Sequence, residues 1–185
     1  MPRGKIRTVF DTSILVSALK SRSPSRSPAW FCLTCLKEKF LENYVSSEII
    51  EEMKFTLAVI AVEVASKNNR KGVLALADEL IRVIHLNSTK IKPKVDFSKD
   101  SSVIRIIKDE SDVKFLNVLY SAKAKFLLTQ NTSHFGNFVI SEGKTGKAKI
   151  RQHYFNIMTA REFQSYLSLA HPKIAEKCKK KRKKA

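Results

Sequence analysis

The order of apolar segments predicts an α/β protein in which a parallel sheet is covered by helices on both faces. Three observations carry that prediction. Short β-branched apolar runs alternate with longer stretches of helical spacing, which is how strands buried on both faces read. The 43% apolar and 28% charged residues are a globular balance, not that of a disordered chain. The length, 185 residues, suits one domain with tails, and a content of Gly 5 and Pro 5 excludes collagen-like or linker-dominated chains.

Ile6–Phe10 is short, apolar and β-branched and stops at Asp11, so it is expected as a buried strand. Thr12 or Ser13 would cap a helix reaching about Lys20. Residues 21–28 form a polar loop with two prolines. Trp30–Leu41 has helical spacing, and Tyr44-Val45 is a brief strand. Ser46 would cap a helix from Ser47 to about Ser66, with Glu48, Glu51 and Glu52 near its positive end. Asn68–Gly72 reads as a turn, Val73–His85 as a helix and residues 87–100 as a polar connection. Val103–Ile107 is expected as a strand, Asp109–Asp112 as the opening of a helix to about Lys123, and Lys125–Leu128 as a strand. Gly136–Gln152 is a basic loop or hairpin. Tyr154–Met158 is the last strand, and Thr159 caps a helix to about Ala170. One domain over residues 1–172 is therefore followed by a tail over 173–185. Seven of the last nine residues are Lys or Arg, so the tail is expected to be disordered unless bound.

Charge narrows the functional classes. Lys+Arg 35 against Asp+Glu 17 gives +18, an excess that self-repels unless an anion is near. RNA or another nucleic acid is the leading partner, with an anionic membrane surface as the alternative. No apolar run approaches the roughly 20 residues that span a bilayer. The basic N-terminus imitates an export signal, but Asp11 interrupts its apolar stretch, so a cytoplasmic chain is expected. Cys32 and Cys35 form a CxxC without the further ligands a zinc site needs, and read as two small apolar residues on one helix face. Glu142-Gly-Lys-Thr-Gly-Lys-Ala-Lys149 lacks the first glycine and the hydroxyl residue of a phosphate loop and is taken as a basic segment.

The acids carry the chemistry. Asp11 lies just past the first strand, Asp112 opens a helix after the Val103–Ile107 segment, and Asn131 follows the Lys125–Leu128 strand. Glu52 sits about two turns into its helix. In an open parallel sheet these strand ends share one crevice. Two carboxylates at 4 Å repel by roughly 4 kcal/mol at an effective dielectric of 20, so their pKa values rise or a cation binds. Oxygen ligands select Mg²⁺ or Mn²⁺, which can activate water against a phosphodiester. Each acid also has a plainer role: Asp109 or Ser111 as a helix cap, Asp112 in a first turn, Glu52 in a solvated trio. His134 falls beside the crevice and reads most simply as a loop histidine that packs or caps.

Together these segments resemble the PIN-domain nucleases. Val9-Phe-Asp-Thr-Ser-Ile-Leu-Val-Ser-Ala-Leu19 is similar to the family's opening motif, Val45-Ser46 with Glu52 to its second, and Asp109-Glu-Ser-Asp112-Val-Lys-Phe-Leu to its third. Leu127-Leu-Thr-Gln-Asn-Thr-Ser-His-Phe135 is similar to the fourth, in the form found among VapC-type toxins. Asn156-Ile-Met-Thr-Ala-Arg-Glu-Phe163 resembles the closing strand and helix of that branch, so the resemblance spans about residues 5 to 170. It implies a three-layer α/β/α sandwich with a four- or five-stranded parallel sheet, Mg²⁺- or Mn²⁺-dependent cleavage of RNA, often a homodimer, and a paired antitoxin protein. By motif, Asp11, Glu52 and Asp112 carry over as metal ligands, Asn131 as an assisting site residue, and Thr12 and Thr129 as hydroxyls that orient the acids.

Asn131 and Ser133 stand where many family members carry acids. The alternative function is therefore a catalytically weak RNA-binding or ribosome-associated scaffold. Candidate nucleic-acid contacts are Lys144, Lys147, Lys149 and Arg151 in the basic segment, and Lys179, Lys180, Lys181 and Arg182 in the tail, since basic side chains anchor phosphates.

Overall fold

The computed structural model describes residues 5–65, 69–138 and 146–182. Strand β1 (Ile6–Phe10) leads into α1 (Thr12–Leu19) and α2 (Pro28–Lys37), and then come β2 (Leu41–Val45), α3 (Ser47–Val64), α4 (Arg70–Asn87) and β3 (Ser88–Lys90). After α5 (Ser101–Ile104) follow α6 (Val113–Ala122), β4 (Phe126–Leu128), the hairpin of β5 (Gly146–Ile150) and β6 (His153–Met158), and finally α7 (Ala160–Ala170) and α8 (Pro172–Arg182). The sheet order is β3-β2-β1-β4-β6-β5. The first five strands in that order are parallel, as expected, and β5 adds an antiparallel edge through the hairpin turn at Arg151.

Pairing fixes which ends meet. Phe10 lies beside Leu128, Leu128 beside Met158, and Val45 beside Lys90. Parallel strands put their C-terminal ends on one edge, so the turns after β1, β2 and β4 all open there. Side chains alternate across the sheet. On one face Tyr120 of α6 meets His153 and Phe97 edge-on, at 6.1 and 5.4 Å between ring centroids. On the other, Phe126 packs on Phe163 and Tyr166 of α7, at 5.3 and 5.0 Å.

Asn43, fully buried in β2, stitches three strands together. Its Oδ1 accepts from the Phe10 amide at 3.0 Å and the Thr8 hydroxyl at 3.3 Å, and its Nδ2 donates to Ser88 Oγ at 2.8 Å. A buried amide is tolerated when its donors and acceptors are met. Here it carries the β1–β2 connection past the last backbone pair and holds the end of β1 in place.

Several sequence expectations are corrected. Val103–Ile107 is not a strand. Asp100 caps a short helix there, accepting from the Ser102 amide at 3.1 Å, and the buried residues Val103 and Ile107 lie at helical spacing. Asp112 opens a helix as expected, but the segment before it is helical and not a strand of the sheet. Helix α2 stops at Lys37, Lys39 turns the chain at φ 61°, and Leu41 opens β2. Helix α4 begins at Arg70, so Gly72 lies inside it, and the polar connection contains β3. The cap of α1 is Asp11 rather than Thr12 or Ser13.

The largest correction is the C-terminus. Residues 172–182 form α8, packed on α2 and α7, with Ala175 and Cys178 buried. Ala175, Cys178 and Arg182 lie on one helical stripe, and the lysines between them face water. Cys178 contacts Cys35, and burial raises the pKa of the Cys32 and Cys35 thiols, which keeps them protonated and inert. Arg182 is buried too. Its Nη1 donates to the Ser27 carbonyl at 2.7 Å, and its guanidinium stands 5.7 Å from the Phe31 ring centroid. A chain ended at His171 should expose this seam. Its Cys35 should react with an aromatic disulfide reagent in native buffer at least about tenfold faster than in the full chain. Equal reactivity would show that α8 does not cover α2.

Candidate metal centre

Each crevice residue is placed by a local rule. The Asp11 amide donates to the Leu128 carbonyl at 2.9 Å, which extends the β1–β4 ladder by one residue and sets Asp11 at the sheet edge. Its side chain caps α1, with Oδ1 accepting from the Ser13 amide at 2.8 Å. Ser46 caps α3, and the packing of α3 on α1 turns Glu52 toward Thr12. Asp109 caps the turn at residues 110–112, accepting from the Ser111 amide at 2.9 Å, and Asp112 then opens α6. Asn131 and His134 belong to the turn that leaves β4.

These residues line one open crevice of about 690 Å³ at the C-terminal edge of the sheet. Asp11, Thr12, Glu52, Asp109, Asp112, Lys114, Asn131 and His134 all border it, and Val16 and Ile60 form an apolar wall. Thr129 donates to Asp11 Oδ2 at 2.5 Å, and Thr12 donates to Glu52 Oε1 at 2.5 Å. Asn131 is exposed, and its amide is held by Thr129 Oγ1 at 2.9 Å.

The electrostatics follow from burial. Asp11 is only 4% exposed, and desolvation pushes its carboxyl above the ordinary value, with the hydrogen bonds from Thr129 and Ser13 opposing that rise. Asp112 is pushed up to about 6, first by burial and then by the charges of Asp11 and Asp109, against the His134 hydrogen bond. Asp109 is exposed enough to move the other way, lowered by its bonds from Ser111. Lys114 was not singled out in the sequence. Its Nζ lies 2.6 Å from Glu52 Oε2 and neutralises one of the four carboxylates. His134, read as a loop histidine, puts Nδ1 2.8 Å from Asp112 Oδ2 and 3.9 Å from Asp109 Oδ2. Its signal was the position one helical turn beyond Asn131, on the same side of the crevice.

The donor set fits a divalent cation. Ligand atoms of Asp109, Asp112 and His134 lie within 4.8 Å of one another, with Asp11 close enough to raise the pKa of Asp112. Carboxylate oxygens with one imidazole nitrogen suit hard or borderline ions, and the three cysteines are buried where α8 meets α2, away from the crevice.

The basic residues separate into two kinds. Lys147 and Lys149 stand on the exposed side of β5, with their Nζ atoms 5.5 and 5.1 Å from the half-exposed ring of Tyr154. Arg151 is tied to Asp100 at 2.9 Å and lies over Phe97. Lys179, Lys180 and Lys181 are exposed on α8, whereas Arg182 is buried and cannot serve as the expected nucleic-acid contact. Lys144 lies outside the described residues. Among the described residues no helix is long and apolar enough to cross a membrane.

The profile of the PIN domain matches residues 7–133, a span that holds Asp11, Glu52, Asp112 and Asn131. An uncharacterized protein of Methanocaldococcus jannaschii is 30% identical over 125 residues, covering 67% of this chain and 70% of its own.

The raised pKa of Asp112 has a testable sign. A folded-state pKa above the unfolded value means that the native state holds the proton more tightly, so ionisation of Asp112 erodes metal-free stability as pH rises from about 4 through 6. Asp112→Asn cannot ionise. In denaturant unfolding of the metal-stripped protein, the variant should gain on wild type across that window and hold the gain above it. A difference that does not change with pH would contradict the burial of this charge.

Proposed function

The chain belongs to the PIN domain family, and we propose that it is a metal-dependent endoribonuclease that cleaves RNA phosphodiester bonds. PIN domains are in general metal-dependent nucleases. The observation that carries the proposal is the convergence of Asp11, Glu52, Asp109 and Asp112 in one crevice of a chain that is +18 overall. In this reading Asp11, Glu52 and Asp112 hold Mg²⁺ or Mn²⁺, directly or through water, with Asn131 assisting. A cation held by these residues would supply activation of a water and offset charge on the phosphoryl group. Thr129 and Thr12 keep the carboxylates of Asp11 and Glu52 aimed into the crevice.

Support for RNA as substrate comes from the surface. Lys147 and Lys149 flank Tyr154, which pairs phosphate-binding charge with a ring on which an unstacked base can lie. The lysines of α8 add charge without base selection. The finer proposal, a toxin whose action a small antitoxin relieves, rests on the resemblance of the motifs around Asn131 to the VapC branch. Its signature would be growth arrest on expression of wild type but not of Asp11→Asn.

The direct test uses single-stranded RNA with Mg²⁺ or Mn²⁺. Asp11→Asn should lower the cleavage rate at least about a hundredfold, a loss of roughly 2.7 kcal/mol of barrier stabilisation, with native circular dichroism retained. Wild-type protein that binds RNA but does not cut it would instead favour the scaffold reading, for which the neutral Asn131 and the Lys114–Glu52 pair are the specific observations.

A further inference from the structure

The two acids expected at the heart of the metal site are already engaged. Glu52 is held by Thr12 on one oxygen and by Lys114 on the other. Asp11 accepts from Ser13 on Oδ1 and from Thr129 on Oδ2. On the opposite wall, Asp109 Oδ1 is used by the Ser111 amide, which leaves Oδ2 toward His134. Asp112 Oδ2 meets His134 Nδ1. We propose that His134 is itself a metal ligand, joining Asp112 and Asp109 in a position that contains nitrogen and prefers Mn²⁺ and later first-row ions to Mg²⁺. The inference rests on the metal-dependent reading above and deepens it by naming a ligand and a metal preference.

Geometry and chemistry carry it together. Ligand atoms about 2.1–2.2 Å from one ion and roughly at right angles stand about 3 Å apart. The Nδ1 to Oδ2 separation of 2.8 Å is close to that before any adjustment. The ring is placed by backbone bonds. The Lys108 amide donates to the His134 carbonyl at 3.2 Å, and the His134 amide donates to the Asn131 carbonyl at 3.0 Å. Ile107 and Phe135, both buried, anchor the two segments that carry the three ligands. Mg²⁺ demands oxygen and charge, yet Asn131 brings no charge and Lys114 cancels that of Glu52. An imidazole returns affinity in the form that transition ions use and Mg²⁺ does not.

The test is metal binding by the purified full-length chain, stripped of metal and free of RNA. Mn²⁺ should bind at least about tenfold more tightly than Mg²⁺, and the Mn²⁺-loaded protein should show ¹⁴N coupling in electron spin-echo spectra. His134→Ala should lose the coupling and weaken Mn²⁺ about tenfold, while Mg²⁺ affinity stays within about twofold. Asp109→Asn should keep the coupling, since it leaves the imidazole in place. Wild type without ¹⁴N coupling, or without bound Mn²⁺, would overturn the proposal, as would a Mn²⁺/Mg²⁺ ratio unchanged in His134→Ala. Nitrogen-coordinated Mn²⁺ in a chain that cuts no RNA would sink the ribonuclease reading and leave this one standing. Cleavage with Mg²⁺ but no ¹⁴N coupling would do the reverse.

Discussion

The carboxyl group of Asp11, buried at the end of a strand whose last residues see no solvent, is the constraint around which the crevice is organised. A buried carboxyl is tolerated only when its oxygens find donors. Those donors come from two directions. Ser13 reaches it from the start of α1, and Thr129 from the end of β4. Ser13 Oγ also accepts from the Gln130 amide at 2.9 Å, so the α1 start and the β4 turn are fastened to each other as well as to the acid. Upstream, Asn43 holds the Phe10 amide and so fixes the strand that delivers Asp11. The acid, the hydroxyls and the sheet edge form one hydrogen-bonded unit.

Charge is segregated in space. The chain is strongly basic, yet four carboxylates share one edge of the sheet with Lys114 as their nearest cation. Repulsion among them is relieved in three ways: Lys114 pairs with Glu52, His134 bonds to Asp112, and the raised pKa of Asp112 lets it take up a proton as pH falls through about 6. A divalent cation would replace the last of these with fixed charge. The net charge of +18 lowers the long-range cost of bringing a polyanion to an otherwise acidic opening.

The sequence made legible whatever local rules determine. Asp11, Glu52 and Asn131 follow strands or caps whose signals are contiguous, so their arrival at one edge follows from the parallel sheet. Asp112 was placed in the crevice for the wrong local reason. The apolar run Val103–Ile107 matches a strand, but its Asp100 cap and helical burial spacing prevailed. Lys114 was not legible as a site residue, and His134 was legible only as a neighbour of the crevice, because their partners are distant in sequence and only tertiary packing brings them within 3 Å. Helix α8 was hidden by its charge density. Its buried stripe is Ala175, Cys178 and Arg182 among lysines, and the last, its anchor, is a cation that reads as surface. The two-layer contact of α8 with α2 and α7 is what turns a solvated tail into part of the fold.

The crevice has the donor set of a divalent-cation site. Anomalous diffraction from crystals of the full chain soaked in Mn²⁺ tests it most directly. One dominant anomalous peak is expected in the crevice, within bonding distance of Asp112 and bordered by Asp11 and His134. A crevice without a peak at saturating Mn²⁺, or a dominant peak elsewhere on the molecule, would contradict it.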